Sequence, residues 1–388
     1  MSIAFEFTTV PALIVEFGAA RKLGELLRKR YAMTRLCLVT DSFLHRSGLL
    51  APTLASLAAA GFEVQVIDDV VADPPDHIVL AAAQRARDGR AELVVGLGGG
   101  SSMDVAKLIA VLVASTQPLD AMYGIGNVAG PRLPLVQVPT TAGTGSEVTA
   151  ISIVTTGATT KSGVVSPLLI ADLAILDAEL TLGLPAAATA ATGIDAMVHA
   201  IEAYTSVRLK NPLSDMLAQK ALTLLSAHIV TACIDGNNRV AREAMLLGAT
   251  LAGQAFSNAP VAAVHALAYP LGGHFHVPHG LSNALVLPHV LRFNAPVAAH
   301  LYADIADWIV TEPMPAGADA ATKTAALIDH LDRIAIATNV TRRLRDVGVG
   351  LADLPMLAAD AMKQQRLLTN NPRALTEADA LAIYTAAY

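Results

Sequence analysis

The pattern of hydrophobic and polar positions changes character near the middle of the chain. In the first half, short runs of β-branched and aliphatic residues alternate with stretches of helical spacing. The predicted strands cover 35–41, 62–67, 92–97, 133–139 and 174–177, and helices are predicted at 49–60 and 78–88. This alternation is typical of a parallel sheet with crossover helices.

After residue 184 the β-branched runs largely disappear, and long Ala- and Leu-rich helical segments continue to the end of the chain. A chain of 388 residues is long enough for two hydrophobic cores. We therefore predict an α/β domain over 1–184 and an all-helical domain over 185–388. A cleft between two such domains is a common place for a ligand.

The segment 244–291 contains no Asp, Glu, Lys or Arg, yet it carries five histidines: His265, His274, His276, His279 and His289. Neutral imidazole is the commonest metal-binding side chain. The residues at 270–273, which include one proline and two glycines, predict a break that brings His265 and His279 together. A buried helical core with isolated histidines is the alternative interpretation, and His289 fits it. A membrane span is disfavoured because polar residues and prolines interrupt every long apolar run.

An Asp/His pair lies upstream in helical sequence. Asp195 and His199 are four residues apart, so they project from one helix face. Taken alone, such a pair is more typical of a simple hydrogen bond. Combined with His265 and His279, it supplies one carboxylate and three imidazoles, a set suited to Fe²⁺ or Zn²⁺.

Two polar turns follow predicted strands in the first half. The run GLGGGSSMDVAK over 96–107 opens a helix, for which Ser101 is the predicted N-cap. Glycines let a backbone approach a pyrophosphate, and the N–H groups at a helix start hold anions. The run VPTTAGTGSE over 138–147 offers hydroxyls and glycines for the other end of a dinucleotide. The alternatives are a tight strand-to-helix turn for the first and a capped helix start for the second.

Asp41 ends its predicted strand, where a carboxylate accepts hydrogen bonds from a ribose diol. Its charge would repel a 2′-phosphate, which favours NAD over NADP. Capping of the following helix is the alternative role.

Composition narrows the range of partners and compartments. The chain is 53% hydrophobic and 15% charged with a net charge of −6, and its mean hydropathy is +0.49. Much of this hydrophobicity is alanine, which predicts close-packed helices and an apolar interface in a homodimer or higher homo-oligomer. The net negative charge leaves no basic footprint for nucleic acid, so we expect no nucleic-acid partner. The first residues lack the pattern of a secretory signal, and the two cysteines form no disulfide framework or thiolate site, so we expect a cytoplasmic protein without a membrane partner.

Taken together, these motifs resemble the iron-containing (group III) alcohol dehydrogenases over essentially the whole chain. The resemblance rests on the motifs at 98–107, 139–149 and 191–204 and on the run from His265 to Gly280. It implies a Rossmann-like α/β dinucleotide-binding domain followed by an all-α metal-binding domain, the architecture of dehydroquinate synthase. It places the metal ligands on Asp195, His199, His265 and His279. It places the cofactor contacts on Asp41, Gly98, Gly99, Gly100, Ser101, Asp104, Thr140, Thr141, Thr144 and Lys161.

Several positions depart from the family pattern. Some members carry a histidine, credited with proton transfer, where this chain has Tyr269. The candidates for proton transfer are therefore His276, then His274, beside Tyr269. Ser152, Ala171 and Ala178 replace an Asn and two prolines of some relatives, changes that suggest adjusted loop packing or cofactor contacts. Glu202 and Tyr204 could support the metal ligands, although a helix-surface role for Glu202 is the simpler expectation.

The resemblance implies an enzyme that transfers a hydride between NAD(H) and an alcohol, aldehyde or diol. The same architecture also serves a lyase of the dehydroquinate synthase type, and a non-catalytic NAD-binding regulator is a further alternative. A phosphorylated or dicarboxylate substrate requires Lys and Arg around it. The uncharged segment therefore favours a neutral small molecule, while four metal ligands favour an enzyme over a regulator.

Overall fold

The computed structural model describes residues 4–157 and 160–388, which divide into two compact units. One unit covers Thr8–Gly183, and the other covers Leu184–Tyr388 together with residues 4–7. The first unit is α/β and the second is helical, as the sequence pattern predicts.

A six-stranded parallel sheet forms the centre of the α/β unit, with the strand order β1-β9-β6-β4-β2-β3. Its strands are β1 (Leu13–Val15), β2 (Arg35–Val39), β3 (Glu63–Ile67), β4 (Leu93–Gly98), β6 (Leu135–Pro139) and β9 (Leu173–Leu176). The five predicted strands coincide with β2, β3, β4, β6 and β9. The carboxyl ends of β4 and β6, where the two polar turns begin, are neighbours in the sheet.

Helices cover both faces of this sheet. They are α1 (Leu23–Arg28), α2 (Ser42–Arg46), α3 (Ala51–Ala59), α4 (Asp76–Asp88) and α5 (Gly100–Ala114). Along β2, Leu36 and Leu38 join one hydrophobic cluster with α1 and α3, while Cys37 and Val39 join another with α4 and α5. A strand buried on both faces needs an unbroken apolar run, which explains why these strands were visible in the sequence.

A second, three-stranded sheet contains β5 (Gly124–Ile125), β7 (Ile151–Thr156) and β8 (Thr160–Val165). The long strands β7 and β8 are antiparallel, and β8 pairs with β5 in parallel. The sequence pattern did not predict this sheet. Polar residues interrupt the apolar pattern of β7 and β8, and β5 has only two residues.

The helical unit contains nine α-helices within its described residues. They are α6 (Ala186–Thr205), α7 (Pro212–Ile234), α8 (Arg239–Asn258), α9 (Ala263–Phe275), α10 (His279–Ile309), α11 (Ala320–Ala337), α12 (Leu354–Ala361), α13 (Gln365–Leu368) and α14 (Glu377–Ala387). Helix α6 is buried throughout 193–205. A helix surrounded by protein must be apolar or internally satisfied on every side, so each polar residue on it needs a partner.

Among the described helices, α7 alone is long and apolar enough to cross a bilayer by length and composition. It packs against α6 and α8 within the helical unit. The core helix of a folded domain meets the same criterion.

Two local predictions were wrong. Helix α5 starts at Gly100 after the N-cap Gly99, so Ser101 already lies inside the first turn. The predicted break at 270–273 does not occur, because the buried helix α9 continues through Pro270 to Phe275. The chain reverses only at His276, which has the left-handed φ of 55° that ends many helices.

Candidate metal centre and nucleotide loops

Four side chains from three helices meet in the helical unit. Asp195 and His199 lie one turn apart on α6, His265 lies in the first turn of α9, and His279 is the first residue of α10. Their potential ligand atoms all lie within 4.8 Å of one another. The Asp195 Oδ1 atom is 3.8 Å from His199 Nε2, 3.8 Å from His265 Nε2 and 3.6 Å from His279 Nε2.

The burial and charge of this cluster suit a cation. Asp195, His199 and His265 are buried, whereas 40% of the His279 side chain is exposed. Burial alone would raise the pKa of Asp195, but the three histidines and an Asn283 hydrogen bond bring it below its ordinary value. One carboxylate and three imidazole nitrogens in this arrangement fit a divalent transition ion, Fe²⁺ or Zn²⁺.

A buried carboxylate orients one of the histidines. Glu202 is 3% exposed, so the expected helix-surface role is wrong. Its Oε2 lies 2.6 Å from His265 Nδ1, and its Oε1 accepts a hydrogen bond of 2.7 Å from the backbone N–H of Val264. A proton held on Nδ1 leaves the Nε2 lone pair of His265 for the cluster. Tyr204 instead donates a hydrogen bond to Asp304, 2.8 Å away.

Two further side chains contact the cluster, and one of them, Asn283, was missed from the sequence. Asn283 donates to Asp195 Oδ1 at 2.6 Å, and Phe256 stacks on the His199 ring with centroids 4.3 Å apart. Asn283 lies four residues after His279, on the same face of α10. That spacing was the available signal, since an amide one turn from a ligand can contact the same ion site.

The three proton-transfer candidates lie in different environments. His274 Nε2 lies 3.0 Å from Asp360 Oδ2, which explains this histidine as part of a packing contact. His276 is exposed and forms the turn after α9. The ring of Tyr269 lies 5.9 Å from that of His279, between centroids, which places Tyr269 beside a ligand.

In the α/β unit the two polar turns touch each other. Gly98, Gly99, Gly100 and Ser101 run from the end of β4 into α5, and Thr140, Thr141 and Thr144 follow β6. The Thr140 N–H donates to the Gly98 carbonyl at 2.9 Å. A Cβ added to Gly100 would lie 2.8 Å from the Thr144 methyl carbon, so the close approach requires glycine there. The second turn leads into a short 3-10 helix, Ser146–Val148, and then into the strand β7 rather than into an α-helix. The alternative interpretation of this turn as a capped helix start is therefore wrong.

The remaining predicted cofactor residues have partners inside this unit. Asp41 Oδ1 caps α2 by accepting from the N–H groups of Phe43 and Leu44, 2.9 Å each. Lys161 forms an ion pair with Asp73. Both carboxylate oxygens of Asp104 accept hydrogen bonds from residues that follow the Thr140–Thr144 loop, here called the Thr-rich turn.

Comparisons with known proteins match nearly the whole chain. A family model described as iron-containing alcohol dehydrogenase matches residues 11–178. A second, described as the C-terminal part of the Fe-containing alcohol dehydrogenase family, matches residues 189–388. The chain is 41% identical over 364 residues to long-chain-alcohol dehydrogenase 1 of Geobacillus thermodenitrificans, covering 93% of this chain and 91% of the relative.

Two solved structures illustrate the structural likeness. A 1,3-propanediol oxidoreductase superposes with a TM-score of 0.94 at 35% identity, covering 99% of this chain and 100% of that one. A sulfoacetaldehyde reductase of Bifidobacterium kashiwanohense, solved in complex with NAD⁺, superposes with a TM-score of 0.88 at 26% identity and covers 99% of each chain.

Proposed function

The chain belongs to the iron-containing alcohol dehydrogenase family, and from that premise we propose that it transfers a hydride between a neutral primary alcohol, aldehyde or diol and NAD(H). The observation that carries this proposal is the cluster of Asp195, His199, His265 and His279, whose ligand atoms lie within 4.8 Å of one another. These four residues would hold Fe²⁺, with Zn²⁺ as the second ion that the donor set fits. When bound, such an ion acts as a Lewis acid on the substrate oxygen.

The protein's own residues prepare this site before any ligand binds. Glu202 fixes the orientation of His265, and Asn283 fixes Asp195, so two of the four ligands are held by hydrogen bonds. Phe256 covers the His199 ring and is itself 8% exposed. One ligand is thus covered by an aromatic ring and two are held in place before metal binds, while the part-exposed His279 leaves the cluster accessible to a substrate.

The lack of cationic side chains in the segment that supplies two of the ligands supports a neutral substrate. The segment 244–291, which supplies His265 and His279, has no Asp, Glu, Lys or Arg. An anionic group such as a sulfonate or carboxylate would need a cationic partner there. We therefore place the substrate with the alcohols and diols of the first two relatives rather than with sulfoacetaldehyde.

The nucleotide is assigned to the α/β unit. The Gly98–Ser101 turn and the Thr140–Thr144 loop lie at the adjacent carboxyl ends of β4 and β6, the usual position of a dinucleotide in such sheets. Asp41 lies two residues after the end of the next strand, β2, and its negative charge favours the ribose diol of NAD over the 2′-phosphate of NADP. Lys161 completes the proposed contacts.

For the proton that leaves the alcohol, we propose a path through Tyr269 and the exposed His276. The Tyr269 ring lies beside the His279 ring. His276 lies in the turn between the end of α9 and His279. His274 is the weaker candidate because Asp360 occupies its Nε2.

We further propose that the protein is cytoplasmic and that it self-associates. Exposed apolar side chains concentrate around the start of α7, where Leu209 is 69% and Met216 is 58% exposed. Such side chains support a homodimer or higher homo-oligomer. Light scattering after gel filtration measures the mass directly, and a monomer at micromolar concentration would contradict this part.

The test of the main proposal is anaerobic reconstitution of the metal-free protein with Fe²⁺ or Zn²⁺, followed by NADH formation over a panel of alcohols, diols and isethionate. We expect turnover with neutral substrates and weak or no turnover with the sulfonate. Asp195→Ala and His279→Ala should lose bound metal, measured by elemental analysis. Absence of turnover with every metal and every alcohol would contradict the dehydrogenase activity.

A further inference from the structure

A fully buried lysine joins the two nucleotide turns. Lys107 lies on α5, two turns after the Gly-rich turn, and its side chain is 0% exposed. Its Nζ donates to Ser146 Oγ at 2.9 Å, to Thr149 Oγ1 at 3.1 Å and to the Ile151 carbonyl at 2.6 Å. All three acceptors belong to the stretch that leads from the Thr-rich turn into β7.

Asp104, one turn earlier on α5, contacts the same stretch. Its Oδ1 accepts from Ser146 Oγ at 2.5 Å and lies 3.4 Å from Lys107 Nζ. Its Oδ2 accepts from the Ile153 N–H at 2.9 Å, and its backbone carbonyl accepts from Ser152 Oγ at 3.0 Å. The carboxylate is therefore committed to the protein itself, and only 15% of its side chain is exposed.

From these contacts we propose that Asp104 and Lys107 are positioning residues, which fix the Thr140–Thr144 loop against the Gly98–Ser101 turn and so preform the dinucleotide site. This inference rests on the proposed NAD-dependent function. It assigns Asp104 to the frame of the site, whereas the family resemblance would place it among the cofactor contacts.

The chemistry of the pair supports positioning rather than stability. A buried ion pair is weak evidence for stability, because apolar residues of similar volume often replace it without loss. Burial lowers the pKa of Lys107, and the charges of Asp104 and Glu147 oppose that effect. The pair instead favours one placement of residues 146–153, because the ammonium and the carboxylate hydrogen-bond to that stretch at several points.

The position of the pair explains how it would affect the cofactor. The two turns already share the Thr140-to-Gly98 hydrogen bond, and Thr144 touches Gly100. These contacts involve only a few atoms at the tips of the turns. Without the Asp104 and Lys107 contacts, the Thr-rich turn would sample other conformations. NAD would then have to order this turn on binding, which would lower its affinity.

The test combines hydrogen–deuterium exchange of the cofactor-free protein with calorimetric titration of NAD. Lys107→Met keeps an unbranched side chain close to the length of the lysine stem and removes its ammonium. We expect faster exchange confined to 140–153 and roughly tenfold weaker NAD binding, as expected for lost hydrogen bonds to a charged group. The KM for NAD should rise by a similar factor, with a smaller change in kcat.

Two more variants separate positioning from general destabilisation. Ser146→Ala removes the hydroxyl shared by Lys107 and Asp104 without burying or unpairing a full charge, and it should reproduce a part of the loss. Leu108→Ala, a fully buried neighbour in the hydrophobic core, should lower the melting temperature while NAD binds as in the wild type. Equal weakening of NAD binding in Leu108→Ala, or unchanged loop exchange and affinity in both other variants, would overturn the proposal.

NAD binding by the wild-type protein tests the proposed function independently of the positioning role. If the wild-type protein does not bind NAD, the proposed function fails, while the exchange rates of 140–153 in the cofactor-free variants still test the positioning role.

Discussion

At the scale of single residues, Glu202 shows how one buried carboxylate organises a metal ligand. It accepts hydrogen bonds from both His265 Nδ1 and the Val264 N–H. Glu202→Gln keeps the shape but replaces one acceptor by an amide NH₂, which faces a donor. We expect metal affinity to fall by roughly 10–100-fold, the usual effect of losing such a supporting contact. Metal retained after dialysis against a graded chelator series measures the change.

Glu243→Gln is the matched control, because Glu243 on α8 forms an ion pair with Arg239 in which both side chains are at least 38% exposed. It should retain metal as the wild type does. Wild-type metal retention in Glu202→Gln would show that His265 needs no such support.

The same residues show what could be predicted from sequence. His265 and His279 lie in an uncharged segment, and together with the Asp195/His199 pair they supply one carboxylate and three imidazoles, so the grouping could be predicted. Glu202 and Asn283 could not be assigned in this way. Glutamate and asparagine are common on helix surfaces, and only the tertiary contacts of Glu202 with the start of α9 and of Asn283 with Asp195 place these two at the cluster.

At the scale of helices and strands, the cluster depends on the close contact between α6 and α10. A Cβ added to Gly280 would lie 2.2 Å from the Ala191 carbonyl oxygen and 3.3 Å from the Asp195 Cβ. Gly280→Ala must therefore push the start of α10, and with it His279, away from α6. We expect a loss of stability of about 1–3 kcal/mol from overpacking and clearly weaker metal binding by titration calorimetry.

A second glycine supplies the control for this substitution. At Gly272 on α9, an added Cβ would meet its nearest atom, the Val277 carbonyl oxygen, at 3.6 Å, an ordinary contact. Gly272→Ala should leave metal binding unchanged and keep or slightly raise the melting temperature. Equal metal affinity in both alanine variants would argue against the contact as the determinant.

An ion pair at the sheet makes the α/β unit sensitive to acid. Arg132 donates to both oxygens of Asp172 at 2.7 and 2.8 Å, and the Leu135 N–H donates to one of them, so the start of β6 is tied to the residue before β9. Burial would raise the pKa of Asp172, but the hydrogen bonds from Arg132 and Leu135 bring it below its ordinary value.

A depressed folded-state pKa means that this contribution is complete above the ordinary value of about 4 and is lost as the pH falls through the lower folded value. Since 37% of the Asp172 side chain is exposed, the effect is small. We expect Asp172→Asn to melt about 2–4 °C below the wild type at pH 7. The two melting curves should converge below about pH 4, and a constant gap down to pH 3 would refute this account.

The strands and helices differ in how well they could be predicted from the sequence. Strands buried on both faces carry apolar runs, so β2, β4, β6 and β9 were predictable, whereas the polar and partly exposed β7 and β8 were not. Helix α9 illustrates the opposite error. Pro270 and two glycines favour a break locally, but Gly273 and Leu271 are buried, and packing maintains the helix until His276.

At the scale of the whole molecule, the two cofactors are assigned to different units, and this separation is measurable. All four metal ligands lie in Leu184–Tyr388, and all proposed NAD contacts lie in Thr8–Gly183. A ligand that binds the folded state stabilises it by about 2.7 kcal/mol at a hundredfold excess over its Kd. Because that free energy resists opening of the segments that hold the ligand, each cofactor should protect a different set of amides.

Hydrogen–deuterium exchange with and without each ligand tests this division. Removal of metal by a chelator should speed exchange in the segments of α6, α9 and α10 around the ligands, while 96–107 and 140–153 keep their rates. NAD added to the metal-free protein should slow exchange in those two loops. His279→Ala should abolish the chelator effect and preserve the NAD effect, because it removes one metal ligand and leaves every proposed nucleotide contact in place. Protection of α6, α9 and α10 by NAD without protection of 96–107 and 140–153 would contradict the assignment of the cofactor contacts to the α/β unit.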